Sequence, residues 1–253
     1  MRTFSEPGRS PRRFFVDAAA LDHEEIVFAP REAHHLARVL RLSPGARLIV
    51  FDGAREADVE VTRIEGSAVT ARRTGPPRPA RRPIDIALLQ GVARGPKMDL
   101  IIRMATEVGL AALHPVLTAR AVAEPGSARV ARWQRIAQQA ARQCGRGDLP
   151  AIHSPAALDA ALAGMGPVDL FVVPWEEETR PIGEVIAGRP FATAAVLVGP
   201  EGGLAPDEIA AARAAGGLTV SLGPLILRTE TAGVVTAAMM LYERLLRPRS
   251  PRD

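Results

Sequence analysis

The sequence has few of the residues that build disulfides, metal clusters or membrane spans. Cys144 is the single cysteine, which excludes an internal disulfide and a cysteine-based zinc cluster. No apolar run approaches the ~20 residues that a membrane-spanning helix needs. The N-terminal segment leads into arginines rather than an apolar stretch, so no signal peptide is indicated. The 253-residue chain, 47% hydrophobic, is therefore expected to be a cytoplasmic protein of one large domain or two small ones.

Lysine is also nearly absent, because the chain has one lysine, Lys97, and 31 arginines. This imbalance is more typical of a bias in coding composition than of a functional choice. Residues 1–83 carry 15 arginines and 11 acidic residues, whereas the 17 cationic and 17 acidic residues of 84–253 cancel. The formal net charge of +4 thus lies in the first third of the chain. This surplus favours a polyanionic partner, because arginine–phosphate contacts release counterions, but it is equally compatible with an ordinary solvated surface.

Short β-strands are the main pattern of residues 12–75. They are expected at 13–16, 25–28, 46–51, 57–61 and 67–71, with Asp52-Gly53 as a hairpin signal between two of them. One helix, REAHHLARVLRL, interrupts the strands and places Leu36, Val39 and Leu40 on one apolar face. This pattern predicts a small, mostly antiparallel barrel over residues 1–75.

Proline and glycine then mark a change of architecture. RRTGPPRPARRP, residues 72–83, has no apolar periodicity and predicts a linker, placed at 76–83. Beyond it, strands are expected at 84–89, 169–173, 194–198 and 219–222, and helices at 98–108, 128–143 (with Ser127 as N-cap) and 229–246. The alternation predicts an α/β domain with a mainly parallel sheet over 84–247. Residues 248–253 are expected to be a disordered tail.

Two loops at predicted strand ends carry the candidate chemistry. VLVGPEGGLAPDEIAAAR, residues 196–213, is typical of a strand, a glycine-rich turn and a helix, the arrangement that cradles a phosphate. Glu201 in the turn, however, would repel a phosphate. SLGPLILRTETA, residues 221–232, turns at Gly223-Pro224 and opens a helix at Thr229. Ligands of open α/β sheets bind beyond the carboxyl ends of the strands, where both loops are expected.

Each loop also has a purely structural interpretation. GPEGG is compatible with an ordinary turn, and RTETA with a helix start capped by Thr229 and favoured by Glu230 at the positive end of the helix dipole. Neither loop matches the dinucleotide or P-loop patterns. The histidines indicate no metal site, because two are adjacent and point apart on a helix and the others are scattered: His34 and His35, then His23, His114 and His153.

Taken together, the two loops resemble the SPOUT superfamily of methyltransferases, and more closely the bacterial enzymes that methylate N3 of a uridine in 16S ribosomal RNA. The resemblance covers nearly the whole chain through RRFFV, HHLARVLRL, MDLIIRMATEVGL, RWQRIAQQAARQCGR, VGPEGG followed by DEI, and LGPLILRTETA. It implies a PUA-like RNA-binding β-barrel followed by a SPOUT domain with a C-terminal trefoil knot. It also implies a homodimer that acts on small-subunit ribosomal RNA without a metal or a membrane.

The resemblance further implies S-adenosylmethionine as the cofactor. A positive sulfonium is compatible with a carboxylate at Glu201, which would either contribute to the field around the cofactor or brace the loop. VVPWEE, residues 172–177, would supply a third wall. The residues implied to form the pocket, largely through backbone atoms, are Val198, Gly199, Glu201, Gly203, Leu222, Gly223, Leu227, Arg228 and Thr229.

Methylation of uridine N3 requires that its proton leave and that the uracil anion be stabilised. By chemistry and position in the motif, Glu230 would act as base, and Arg228 would stabilise charge on O2 or O4. The target base would have to leave its stack to reach the pocket. Met239, Tyr242 and Leu246 would serve the dimer interface or the core. RNA contacts are expected from Arg12, Arg13, Arg38, Arg41, Arg94 and Arg146.

The chain departs from the family pattern at Met104, Ala119, Arg142, Cys144 and Leu225, where lysine, glutamate, glutamate, serine and arginine are usual. The change at Leu225 removes a cation beside the cofactor loop. Two alternatives therefore stay open: a catalytically silent RNA-binding or assembly protein, and a SPOUT methyltransferase acting on transfer RNA. The intact loops argue against the first, and the N-terminal match favours the ribosomal target over the second.

Overall fold

The computed structural model describes residues 12–66, 68–80, 82, 84–121 and 125–246. The chain divides into two compact units, one of residues 1–81 with 141–149 and one of residues 82–140 with 150–253. The sequence placed 141–149 in the second domain, but these residues belong with the first unit. The Leu149 N–H donates to the Gly53 carbonyl at 2.9 Å, and the Arg142 guanidinium lies 4.3 Å from the centre of the Phe15 ring. The predicted tail, 248–253, lies outside the described residues.

The first unit is built on one mostly antiparallel sheet, as predicted. Its elements are β1 (Arg13–Phe15), a 3₁₀ turn (Ala18–Asp22), β2 (Glu25–Val27), α1 (Pro30–His34), β3 (Arg47–Phe51), β4 (Arg55–Glu65), β5 (Ala68–Arg73) and β6 (Arg78–Pro79). The strand order is β1-β3-β4-β5-β2 with β6 beside β4, and among the described residues only the β1–β3 pair is parallel. Buried side chains such as Leu21, Ile26, Leu36 and Val50 form its core.

The predicted helix over 31–42 changes geometry halfway. It is α-helical only to His34, and residues His35–Val39 form a π-helical turn closed by the bond from the Leu40 N–H to the His35 carbonyl. A wider turn rotates side chains away from α-helical positions. Leu36 is buried as expected, but the prediction that Val39 shares its face is wrong, because the Val39 side chain is exposed.

Part of the predicted linker belongs to the first sheet. Arg72 and Arg73 end β5, and Arg78 and Pro79 pair with β4. The guanidinium of Arg78 donates to Glu56 at 3.0 Å and to Asp58 at 2.6 Å, which gives this proline-rich segment a defined position. Periodicity could not reveal a strand this short, because its pairing depends on partners some twenty residues earlier in the chain.

The second unit is an α/β fold. Its strands are β7 (Asp85–Gly91), β8 (Ala112–Leu117), β9 (Ala151–Ile152), β10 (Ala156–Ala157), β11 (Leu170–Pro174), β12 (Thr193–Val198) and β13 (Leu218–Val220). Its helices are α2 (Lys97–Val108), α3 (Ser127–Cys144, of which residues 141–144 belong to the first unit), α4 (Leu158–Met165), α5 (Gly183–Ile186), α6 (Pro206–Ala214) and α7 (Thr229–Leu241), and a π-helical turn (Tyr242–Leu246) follows α7.

The sheet of the second unit is wholly parallel, with the order β10-β8-β7-β12-β11-β13 and β9 beside β8. Apolar clusters cover both faces, as continuous apolar strands predict. No helix in the described part of the chain is long and apolar enough to cross a membrane.

Helix α7 buries a different face from the one its apolar residues indicate. The buried side is made of small residues and one methionine: Ala232, Gly233, Thr236, Ala237 and Met240. A Cβ on Gly233 would lie 2.8 Å from a Leu88 methyl group, so small residues let the helix approach the sheet closely. The predicted stripe of Val234, Val235, Ala238, Met239, Tyr242 and Leu245 is instead partly or fully exposed, and the Leu246 side chain lies outside the described part.

Two of the histidines that seemed scattered in the sequence come together. His114 on β8 stacks on His153, with ring centroids 3.9 Å apart. Burial, and secondarily the neighbouring His153, lower the pKa of His114 from 6.5 to about 4. The His114 ring is therefore neutral at neutral pH.

We expect this pair to make the protein less stable as the pH falls from 7 to 5. In that range the unfolded chain protonates the residue-114 imidazole and the folded chain does not, so the free energy of unfolding falls. The loss is about 1 kcal/mol per pH unit at most, reduced by the partial exposure of the ring. Urea unfolding at both pH values measures the free energy of unfolding. This free energy should depend less on pH in His114→Asn than in wild type, and as in wild type in the exposed control His34→Asn. Equal slopes in wild type and His114→Asn would contradict this assignment.

Candidate ligand site at the carboxyl ends of the parallel strands

A cavity of about 410 Å³ lies in the second unit where β11, β12 and β13 end. Pro174, Trp175 and Glu176 form one wall, so the segment predicted as the third wall does lie there. Leu225, where the family pattern has arginine, also lines the cavity and is 77% exposed. All nine predicted pocket residues line it: Val198, Gly199, Glu201, Gly203, Leu222, Gly223, Leu227, Arg228 and Thr229.

The GPEGG turn needs its glycines for close backbone packing. The Gly203 N–H donates to the Pro200 carbonyl at 2.9 Å, and Gly203 has a φ of +71°, which favours glycine. A Cβ on Gly199 would lie 2.6 Å from the backbone of Gly203, and one on Gly91 would lie 2.5 Å from the Pro200 nitrogen. The turn therefore folds back on itself and onto the end of β7, and it presents backbone groups to the cavity.

A buried polar network ties the two predicted loops together. The Thr229 hydroxyl donates to the Gly199 carbonyl at 2.6 Å and accepts a hydrogen bond from Gln90 Nε2 at 2.9 Å. Gln90 Nε2 also lies 3.4 Å from the Gly199 carbonyl. Thr229 is thus not the N-cap, since Arg228 holds that position with extended backbone and Thr229 is the first helical residue. Its hydroxyl fixes the spacing between the loops.

Lys97 lies between the carboxylates of the two loops. Its Nζ is 2.9 Å from Glu201 Oε1 and 3.6 Å from Glu230 Oε2. The hydrogen bond from Lys97 to Glu201, partly opposed by burial, raises the pKa of the ammonium. Burial alone would raise the pKa of Glu201, but the hydrogen bonds from Lys97 and the Arg94 N–H outweigh it and lower the pKa. Both groups therefore stay ionised around neutral pH.

The two candidate catalytic residues differ in exposure. The Arg228 side chain is 83% exposed and lines the cavity, whereas the Glu230 side chain is 13% exposed. Arg228 Nη1 lies 3.9 Å from Glu230 Oε1, so the two loosely pair. Glu230 Oε2 is buried and has no hydrogen-bond partner in the described structure. No donor of the described residues therefore occupies this oxygen.

Glu208 joins two backbone segments near the cavity and was not singled out by sequence analysis. It is buried, its Oε1 accepts the Ala119 N–H at 2.7 Å, and its Oε2 accepts the Ala205 N–H at 2.7 Å. One carboxylate thus joins the segment after β8 to the start of α6. The DEI motif gave the signal, because a glutamate in the first turn of a helix often accepts backbone N–H groups.

The arginines predicted to bind RNA fall into two groups. Arg13 pairs with Glu56, and Arg146, whose side chain is only 9% exposed, pairs with Asp148 at 2.5 Å. Arg38, Arg41 and Arg94 are exposed and Arg12 is half-buried. Arg41 has a φ of +49°, the only positive φ of a non-glycine residue in the described part of the chain.

Sequence reasoning missed Lys97 and Gln90. Gln90 gives no local signal, because its partners are 109 and 139 residues away along the chain. Lys97 did give one, since it is the only lysine in a chain whose other cationic side chains are all arginine. A compact ammonium fits between two carboxylates, whereas the planar guanidinium of arginine would contact them in a different geometry.

Known proteins match both units. A family model for an RNA methyltransferase domain matches residues 80–241, and a model for an RNA methyltransferase PUA domain matches residues 28–72. The ribosomal RNA small subunit methyltransferase E of Mycobacterium tuberculosis is 33% identical, with 88% of each chain covered. The Bacillus subtilis protein of the same name is 30% identical over 92% of this chain and 96% of that one.

A solved structure agrees over both units as well. The crystal structure of a ribosomal RNA small subunit methyltransferase E from Neisseria gonorrhoeae, bound to S-adenosyl methionine, has a TM-score of 0.74 at 27% identity and covers 93% of this chain and 98% of that one. The predicted fold class, a mainly parallel α/β methyltransferase domain preceded by a PUA-like domain, is confirmed. With these matches over most of its length, the chain belongs to the ribosomal RNA small subunit methyltransferase E family.

Proposed function

We propose that the protein methylates N3 of a specific uridine in 16S ribosomal RNA, with S-adenosylmethionine as methyl donor. The observation that carries the proposal is a glycine-lined cavity at the ends of parallel strands that presents carboxylates instead of a phosphate-binding cluster. Family membership supports the same reaction class.

The cavity fits the cofactor in size and chemistry. Its volume of about 410 Å³ lies within the range of small-molecule sites. The Glu176 carboxylate lies 2.9 Å from where a Gly203 Cβ would be, and no cation of the described residues pairs with it. Arg120, the nearest arginine to that point, donates instead to the Gly202 carbonyl at 2.5 Å. An unpaired carboxylate at this point favours a positively charged group of the ligand over a phosphate. The bound cofactor would supply a methyl group activated by a positive sulfur.

The contacts of Glu201 favour one of its two predicted roles. Its charge is matched by Lys97 at 2.9 Å, and it accepts the Arg94 N–H at 3.1 Å. We therefore assign Glu201 to bracing the loop. Glu230 takes the proton from N3, and the exposed Arg228 stabilises negative charge on a carbonyl oxygen of the base. Glu201 then supports the loop, and Glu230 takes part in the reaction.

For the RNA we propose contacts from Arg12, Arg38, Arg41 and Arg94, whose guanidinium groups form no ion pair in the described part of the chain. Arg13 and Arg146 are held by ion pairs, so their first role is to stabilise the first unit. The target base is expected to be unstacked before it enters the cavity.

Removal of Arg38 and Arg41 together should weaken RNA binding and reduce its salt dependence. For every phosphate that the variant no longer neutralises, the slope of log K against log salt should fall by about 0.7–0.9. The control is Arg47→Ala, because Arg47 in the same unit is 85% exposed and pairs only loosely, at 3.9 Å, with Glu60. Binding of a 16S fragment at several salt concentrations measures the effect. An equal loss of RNA affinity in the Arg47 variant would mean that any positive charge on this unit has the same effect, and that Arg38 and Arg41 do not form a specific RNA interface.

We also propose that the protein is a homodimer in the cytoplasm and that the methyltransferase domain carries the trefoil knot of its superfamily. The exposed apolar face of α7 supports the dimer. Val235, Met239 and Tyr242 line a groove of about 520 Å³ together with Ile182 and Ile186. Apolar surface of this kind is typical of an interface.

The experiment that tests the proposed function has two steps. Calorimetric titration with S-adenosylmethionine should give micromolar binding, on the order of −8 kcal/mol. Incubation with small ribosomal subunits that lack the mark should then methylate one uridine at N3. A folded protein that binds RNA without binding the cofactor would be a silent RNA-binding protein, and methylation of transfer RNA alone would change the substrate.

A further inference from the structure

Lys97 occupies an unusual position for a cation. It is the first residue of α2, at the positive end of the helix dipole, where a positive side chain is disfavoured. Its Nζ contacts the carboxylates of Glu201 and Glu230 on the two loops that form the cavity. These two carboxylates, rather than helix propensity, explain why an ammonium is placed here.

Lys97 faces the cavity, and its hydrogen-bonding capacity is not exhausted. Lys97 is one of the residues that line the cavity, whereas Glu230 is not. An ammonium has three N–H donors. Glu201 accepts one at 2.9 Å, while Glu230 at 3.6 Å is too distant for a normal hydrogen bond. At least one donor is therefore available to a ligand in the cavity.

The surrounding charges keep Lys97 protonated and hold it in place. In the described part of the chain, the charged groups that face it are Glu201 on the glycine-rich loop and Glu230 on α7, and Glu230 also pairs loosely with Arg228 at 3.9 Å. Asp99, on the same helix, is engaged by Arg132 at 2.7 Å. Since its pKa is raised, the ammonium is a fixed cation and not a base.

We propose that Lys97 is a catalytic residue that donates a hydrogen bond to a carbonyl oxygen of the target uracil and stabilises the anion formed when N3 loses its proton. The inference rests on the proposed function. In this step the N3–H bond breaks, the electron pair stays on the ring and spreads onto O2 and O4, and the proton passes to the Glu230 carboxylate. The cluster of Lys97, Glu201 and Glu230 goes from a charge of −1 to 0 as uracil goes from 0 to −1, so no net charge is created in the site.

Lys97 is better prepared for this role than Arg228. The Arg228 side chain is 83% exposed, and water screens its charge. The Lys97 side chain is 32% exposed and is held by a 2.9 Å ion pair before any substrate arrives. Donors that are already oriented stabilise developing charge without reorganisation during the reaction.

The test compares Lys97→Met, which removes the charge at similar length, with Lys97→Arg, which keeps it. Arg103→Met is the matched control, because Arg103 is an exposed cation on the same helix and does not line the cavity. Each folded variant is titrated with S-adenosylmethionine, and its single-turnover methylation of small subunits is measured from pH 6 to 9. The two readouts separate cofactor binding from the chemical step.

We expect Lys97→Met to bind the cofactor within about threefold of wild type while its rate falls by about 100-fold or more. The part of the rate profile that rises with pH should move to higher pH, because the uracil anion and ionised Glu230 both lose their neighbouring cation. Lys97→Arg should recover part of the rate, and Arg103→Met should match wild type.

Three results would overturn the inference. An unchanged rate in Lys97→Met would exclude the role outright. Parallel losses of cofactor affinity and rate, with an unshifted pH profile, would make Lys97 a structural brace only. If Lys97→Met does not fold, the test depends on Lys97→Arg, which keeps the positive charge. A Lys97→Arg variant that has the wild-type fold but no methylation activity at any pH would count against a role of the charge. Failure of wild type to methylate the subunit would instead refute the proposed function.

Discussion

Gly199→Ala is expected to lower S-adenosylmethionine affinity at least 100-fold, although it adds a single methyl group. The added Cβ would lie 2.6 Å from the Gly203 carbonyl carbon and 2.8 Å from the Leu204 nitrogen, and both atoms are backbone. Neither can move without opening the turn. The Gly199 carbonyl also accepts the Thr229 hydroxyl at 2.6 Å, so displacement of this residue breaks the link between the two loops.

The stability cost of Gly199→Ala should be about 1–3 kcal/mol, as is usual for overpacking. Gly202→Ala is the matched control in the same turn, because the atoms nearest to a Cβ there belong to the side chain of Arg120, at 3.2 Å, and not to the backbone. Calorimetric titration measures the affinities, and urea unfolding measures the stability. Wild-type affinity in Gly199→Ala, or equal losses in both variants, would show that the close packing of this turn does not control the cavity.

Glu230→Gln is expected to slow methyl transfer by about 100- to 10,000-fold, the usual contribution of a positioned general base. The amide has nearly the shape of the carboxylate but does not accept a proton from N3. Glu230 does not line the cavity in the described structure, and the Gln90–Thr229–Gly199 network holds the loops without it. Cofactor affinity should therefore stay within a few-fold of wild type.

Single-turnover methylation of small subunits, with cofactor titration beside it, measures both effects of Glu230→Gln. Glu177→Gln is the control, because Glu177 is an exposed carboxylate of the same unit that does not line the cavity. A rate for Glu230→Gln equal to that of the control would remove Glu230 from the mechanism. A large loss of cofactor affinity would assign it to the binding site instead.

Local chemistry in the sequence predicted most of the fold. Continuous apolar segments became β11 and β12, and short β-rich segments bounded by turns became strands of the first sheet. Asp52-Gly53 became the turn between β3 and β4, with the Asp52 carboxylate accepting the Ala54 and Arg55 N–H groups. These elements depend on neighbours a few residues apart, which a sequence displays directly. The loops at 199–203 and 222–229 were identified for the same reason, since glycine and proline set the backbone locally.

Predictions that required knowing which face meets which partner were less successful. Val39 was placed inside and is exposed, because a π-helical turn alters the rotation of its side chain. The large apolar residues of α7 were expected to be its buried stripe, but its small residues face the sheet, since only they permit the close approach at Gly233. Hydrophobicity indicates that a side chain favours burial, but not where space exists for it.

The sequence by itself determined the two-part architecture, most of the strands and the glycine turns, because each depends on short-range patterns of residue type. It did not predict β6, β8, β9 or β10. The family was indicated by the resemblance of whole motifs. Only the tertiary structure decided how the site works. It joined Lys97 to Glu201 and Glu230 and Gln90 to Thr229, although these residues lie more than a hundred positions apart. Charge pairing and buried hydrogen bonds act over a few ångströms in space, and folding alone brings those partners within reach.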